Sequence, residues 1–128
     1  NMKYVWFTLG FIFLLGTANT RAHEMTPTYP KLEASYIPGV LKTRMHIFNR
    51  RDDVSYYEIG VFGEDWEPIP FVTSYKLLKM DYLAHAEVDI YINEQDKASA
   101  EYICSKSKLR KEDVVSSAIS SRICSRLK

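Results

Sequence analysis

Three histidines, two cysteines and a run of basic side chains are the residues of this 128-residue chain whose types admit chemistry. His23, His46 and His85 are its only imidazoles, and imidazole nitrogen is a good ligand for copper and zinc. If the chain is cut after Ala22, His23 becomes the first residue and can chelate copper through its free amine and ring, with His46 or His85 as a further ligand. Nothing in the spacing brings the three together, so a copper site on them stands as an alternative reading. Cys104 and Cys124 lie about 20 residues apart near the ends of two successive expected strands, and an antiparallel pairing of those strands brings them within bonding distance. They show neither the Cys-x-x-Cys spacing of redox pairs nor accompanying ligands for a metal. A structural disulfide is expected.

Catalysis has no support in the motifs. No serine sits in a Gly-x-Ser-x-Gly turn, and Ser116, Ser117, Ser120 and Ser121 read as small polar residues opening the last strand. Asp52 and Asp53, or Glu64 and Asp65, are loop charges beside turns, whereas a glycosidase pair needs a cleft between its carboxylates. Phosphate-binding glycine loops and cofactor motifs are absent from the sequence. The chain is therefore read as a non-enzyme without a cofactor.

Charge is unevenly spread. From His23 to Asp96 there are 7 basic and 13 acidic side chains, whereas Lys97 to Lys128 holds 8 basic and 3 acidic. Lys106, Lys108, Arg110, Lys111, Arg122, Arg126 and Lys128 form a basic face or tail on an otherwise acidic domain. Such a face can bind anions, but exported chains seldom meet nucleic acid, so an acidic protein or a lipopolysaccharide-like surface is expected as its partner and nucleic acid is not.

The elements that must position these residues are short strands. Leu41 to Phe48 alternates, with Thr43, Met45 and Ile47 on one face and Arg44, His46 and Phe48 on the other. Tyr56 to Phe62 alternates again, with Tyr57, Ile59 and Val61 inward, and Ala86 to Ile92 places Ala86, Val88, Ile90 and Ile92 on one side. Further strands are expected over Leu32 to Tyr36, Tyr75 to Met80, Ser99 to Ser105 and Ala118 to Leu127, with a short proline-bearing edge segment over Ile69 to Val72. Leu109 to Val115 can form a helical turn. Seven or eight short strands within about a hundred residues, with no long helical period, point to an all-β chain: a single immunoglobulin-like β-sandwich.

The first 22 residues read as a secretory signal. Asn1, Met2 and Lys3 give a positive start, Val5 to Leu15 an apolar run, and Thr20-Arg21-Ala22 a small-x-small cleavage site. A membrane-spanning helix needs roughly 20 apolar residues, and Thr17, Asn19, Thr20 and Arg21 come too soon, so no stable membrane span is expected. The division is thus 1–22 signal peptide and 23–128 sandwich domain, placed in the periplasm or secreted.

The stretch from Leu41 to Ile92 resembles the N-terminal immunoglobulin-like domain of periplasmic pilus-assembly chaperones. The likeness rests on a strand ending in Phe48-Asn49, the alternating strand Tyr56 to Phe62, a proline-containing edge at Pro68 to Phe71, and Ala86 to Ile92. It implies a protein partner held by strand addition at a sandwich edge. That family also anchors its partner in a basic cleft between two domains. The expected mature length leaves no room for a second domain, so Lys31 and Lys108 are not carried over as anchors. Met25 to Pro30, Phe48-Asn49-Arg50-Arg51 and Ser107 to Asp113 also resemble a small family of signal-bearing proteins of marine tailed bacteriophages. That implies export from the host or display on a virion. The function expected from all of this is an exported binding or chaperone-like module acting through a sheet edge or the basic C-terminal strand. A copper-binding protein using His23 and a virion structural or decoration protein are the alternatives.

Overall fold

The computed structural model describes residues 22–108 and 120–127 of the chain. The two longest strands form where apolar and polar residues alternate longest. β3 (Val40–Phe48) buries Thr43, Met45 and Ile47, and β6 (His85–Asn93) buries Val88, Ile90 and Ile92. They pair antiparallel without interruption from Val40↔Asn93 to Phe48↔His85. The other side of β3 is shared by two short strands, β1 (Glu24–Thr26), which pairs with its end, and β2 (Glu33–Ala34), which pairs near its start. A second sheet runs in the order β5 (Leu77–Lys79), β4 (Tyr56–Phe62), β7 (Tyr102–Lys108), β8 (Arg122–Arg126), every neighbour antiparallel.

The core lies between the sheets. Met45, Ile47, Ile90 and Ile92 from the first face Tyr57, Ile59, Val61 and Ile103 from the second, with Met25, Val54, Met80 and Leu127 closing the margins. Each isoleucine so buried stabilises the fold by about 1.5–3 kcal/mol relative to exposure. This is the expected all-β, immunoglobulin-like sandwich, in eight strands.

Several boundaries differ from expectation. The expected strand over Leu32 to Tyr36 is only Glu33–Ala34, because the chain turns at once: Ser35 Oγ bonds the Val40 carbonyl at 2.6 Å, and Gly39 takes a φ of 79° that side chains disfavour. β1 was not anticipated. Ile69 to Val72 forms no strand; single bridges at Phe62↔Pro68 and Val72↔Tyr91 hold the segment, as expected where prolines remove ladder donors. The last strand starts at Arg122, and the turn expected over Leu109 to Val115 lies outside the described residues.

Candidate functional site

The outer face of the second sheet gathers the disulfide, the rings of Phe62, Trp66 and Tyr102, and the described residues of the C-terminal basic cluster. Backbone register lays its side chains in rows across β4, β7 and β8: Glu58, Lys106 and Arg122; then Gly60, Cys104 and Cys124; then Phe62, Tyr102 and Arg126. Ser107 donates to the Ser121 carbonyl and Leu127 to the Glu101 carbonyl, each at 2.8 Å. Hydrogen-bonded pairs therefore fall on either side of Cys104 and Cys124, which oppose each other in a non-hydrogen-bonded pair, where side chains come closest. They form the expected disulfide.

Cys104 faces outward yet is only 2% exposed. A tight turn accounts for this: Gly63 N–H bonds the Glu67 carbonyl, Trp66 N–H bonds the Gly63 carbonyl, and Trp66 sits at a φ of 64°. The turn folds the indole back over the sheet, where it stacks on Tyr102 with ring centres 4.5 Å apart and meets the Arg122 guanidinium at 4.6 Å. It thus bridges the rows on either side of the disulfide. Gly60, opposite Cys104, leaves the room that the Phe62 ring occupies; a β-carbon there would lie 2.7 Å from that ring. The sequence alone singled out neither Trp66 nor Tyr102. The one local signal was a glycine-led turn placing a tryptophan beside an alternating strand.

The described members of the basic cluster, Lys106, Lys108, Arg122 and Arg126, do come together on β7 and β8. Their charge is partly answered across the sheet, Lys108 by an exposed Glu58 at 3.7 Å and Arg126 by a half-buried Glu101 at 3.9 Å, separations at which such pairs carry small energetic weight. Among the described residues no carboxylate pairs with Lys106 or Arg122, so the positive charge concentrates there. Arg110, Lys111 and Lys128 lie outside the described residues.

β8 is the last strand of its sheet. Because Ile123 and Ser125 turn their amides toward β7, Arg122, Cys124 and Arg126 turn theirs away from it. Arg126 donates to the Thr28 carbonyl at 3.0 Å. The outward amides of Arg122 and Cys124 have no backbone partner among the described residues, although β1 passes close to this side of β8, with His23 beside Ser121 at one end and Thr28 bonded to Arg126 at the other. The other long edge, on β6, is closed at Tyr91 by paired bonds with Val72 and lined beyond it by the charged Glu87 and Asp89, features that discourage strand addition.

His23 is not at the surface. It is 1% exposed, packs against the Tyr57 ring at 4.5 Å and uses both ring nitrogens. Nε2 lies 3.1 Å from the Ser105 carbonyl, which can only accept, and 2.8 Å from Ser105 Oγ; Nδ1 lies 3.2 Å from Ser121 Oγ. A neutral ring that donates from Nε2 and accepts at Nδ1 satisfies these partners. Burial pushes its pKa below the ordinary 6.5, against the Ser105 carbonyl bond, and the nearby Arg51 charge adds to the lowering. The unfolded chain therefore takes up a proton that the folded chain refuses. Stability held above about pH 6.5 is expected to fall as pH drops through the depressed folded value. Urea midpoints between about pH 7.5 and pH 5 measure this, and His23→Gln should flatten the slope; an unchanged slope contradicts it.

Tyr57 and Arg51 extend this buried polar cluster. Desolvation raises the Tyr57 hydroxyl to about 12, and it donates to Asn49 Oδ1 at 2.5 Å. Arg51, whose side chain is 6% exposed, pairs with Asp53 through Nε at 2.9 Å and Nη2 at 2.6 Å. The sequence shows Asp52 and Asp53 as loop charges and gives no sign that the neighbouring Arg51 enters the core.

The structure separates His23 from the other two histidines. His46 and His85 stand side by side on the outer face of the first sheet, Nε2 to Nδ1 at 2.8 Å, while His23 points inward. Among the described residues no three histidine, cysteine or acidic side chains converge as a metal cluster, and no helix is long and apolar enough to cross a membrane.

The sandwich is similar to that of the E. coli chaperone DraB, with a TM-score of 0.60 at 16% identity, covering 85% of this chain and 54% of that one. It is similar also to the periplasmic chaperone SfaE, with a TM-score of 0.52 at 17% identity, covering 84% of this chain and 56% of that one. The chain thus spans about half the length of these chaperones. At such identities the likeness is one of fold. No protein-family model matches the sequence, and no curated protein matches it, so the resemblance to phage proteins gains no support from either.

Proposed function

We propose that this chain is an exported, non-enzymatic binding module that takes an extended segment of a protein partner as an added strand along β8. The observation that carries the reading is the pair of amides at Arg122 and Cys124, which face away from the sheet with no backbone partner among the described residues on a strand stapled to its neighbour; an added strand would take the place that β1 now flanks. Lys106 and Arg122 beside it favour a partner segment with acidic residues, and the Trp66 and Tyr102 rings offer apolar contact to its alternate side chains. The disulfide favours an oxidising compartment. Likeness of fold to two chaperones, one of them periplasmic, supports the periplasm or the cell exterior as that place and a protein as the ligand.

Arg122→Pro provides the test, because proline at this position removes an outward amide without taking a donor from the β7–β8 ladder. A partner recovered by cross-linking from the host envelope or from virions is expected to bind this variant about tenfold more weakly or worse, with the urea midpoint nearly unchanged. A partner that binds Arg122→Pro and Arg122→Glu as tightly as the original chain overturns the reading. Failure of the folded protein to cross-link to any envelope or virion component does so as well.

A further inference from the structure

The geometry points to a second site on the opposite sheet: His46 and His85 form a two-imidazole chelate for a divalent copper ion. The two residues sit one diagonal step apart on β3 and β6, with Phe48 opposite His85 and His46 opposite Glu87 in an unbroken nine-residue ladder. Their side chains share the outer face, and His46 Nε2 lies 2.8 Å from His85 Nδ1. The Phe48 ring stacks on His85 with centres 4.2 Å apart and planes 19° from parallel, which fixes how that imidazole presents its nitrogen.

Two imidazoles bound to one metal at about 2.0–2.1 Å and at right angles to each other hold their nitrogens about 2.9 Å apart, the separation of neighbouring positions in the tetragonal sites that Cu(II) prefers. The pair already stands at nearly that spacing on paired strands, so the backbone need not move and only the rings must turn. In the metal-free protein one ring donates its N–H to the other. Binding needs the donor ring to move its proton to its other nitrogen, leaving His46 protonated on Nδ1 and His85 on Nε2 with no net proton lost, and both rings to turn so that their lone pairs meet the ion off the line between the two nitrogens. Glu87, across from His46, is drawn toward Arg44 at 3.6 Å; its exposed carboxylate adds negative charge near the site, and solvent water completes the coordination. His23 has no part in it, since both its nitrogens are engaged inside the sandwich. Copper is favoured over zinc and nickel by the general affinity order of divalent ions at nitrogen sites.

The test is titration of the exported, oxidised protein with Cu(II), read by calorimetry and electron paramagnetic resonance. One copper per chain is expected, with hyperfine structure from two imidazole nitrogens. His46→Ala and His85→Ala are each expected to weaken binding by at least about tenfold while leaving the urea midpoint close to that of the parent, since both side chains are on the surface. Absence of binding by the parent at stoichiometric copper overturns the inference. So does equal affinity and stoichiometry in the His46→Ala, His85→Ala double variant, which would place the metal elsewhere, for example at a free amino terminus.

Discussion

Replacing Cys104 and Cys124 together with serine is expected to remove about 3 kcal/mol of stability and to lower the melting temperature by roughly 12–24 °C. The bridge closes a loop with a sequence separation of 20 residues, and opening it returns that loop's freedom to the unfolded chain. A small domain has only about 5–15 kcal/mol in all, so the loss is a large share. It should also fall unevenly. Without the bridge, β8 is held by its ladder with β7, by the Arg126 to Thr28 bond and by its place beside β1, so this edge strand should loosen first. Urea unfolding of the parent with and without reductant, beside the double serine variant, provides the measurement. The reduced parent should fall on the variant's curve; coincidence of all three curves contradicts the account.

An effect of similar size is expected at Asn49, where alanine should cost about 3–5 kcal/mol. Asn49 is completely buried, at 0% exposure, and its amide is fully used. Nδ2 donates to the carbonyls of Val54 at 2.8 Å, Met80 at 3.0 Å and Asp81 at 3.3 Å, while Oδ1 accepts from the Arg51 amide at 2.9 Å and from the Tyr57 hydroxyl. Its backbone also brackets the turn before β6, donating to the Ala84 carbonyl and accepting from the Leu83 amide. One side chain thus ties the end of β3 to the loop after it, to β4 and to the approach to β6. Alanine would leave a hydroxyl, an amide and at least two carbonyls buried without that partner, and each such group costs about 1–3 kcal/mol. Tyr57→Phe removes a single hydroxyl and should cost about 1 kcal/mol. Denaturant midpoints for the two variants decide the matter, and an Asn49→Ala value close to that of Tyr57→Phe would show that Asn49 is not the hub.

The parts of this architecture legible in the sequence are those whose signal is local. Tyr56 to Phe62 was readable to the residue, because strict alternation of Tyr57, Ile59 and Val61 with Glu58 and Gly60 has only one regular solution. The disulfide followed from two cysteines on successive strands. The basic character of the C-terminal third was legible in its charge balance, whereas the meeting of Lys106 and Arg122 depends on the β7–β8 register. What stayed hidden depends on contacts far apart in the chain. β1 has three residues and no period, and it exists because β3 offers it an edge. Glu58 and Glu101 temper the basic face from other segments. His23 and Arg51 look like surface residues of a terminus and a loop; only the meeting of β1, β4 and β7 places them in the core. His46 and His85 are 39 residues apart, and nothing short of the β3–β6 register shows that they touch.

If β8 receives the partner as proposed, hydrogen exchange at individual amides shows it most directly. In the free oxidised protein the Cys124 amide, turned away from β7, should exchange far faster than those of Ile123 and Ser125, which are bonded within the sheet. In the cross-linked complex it should become as protected as they are, while the amides of Glu87 and Asp89 on the open part of β6 should be unaffected. Protection appearing along β6 while the Cys124 amide stays exposed would contradict the account and move the partner to the other sheet.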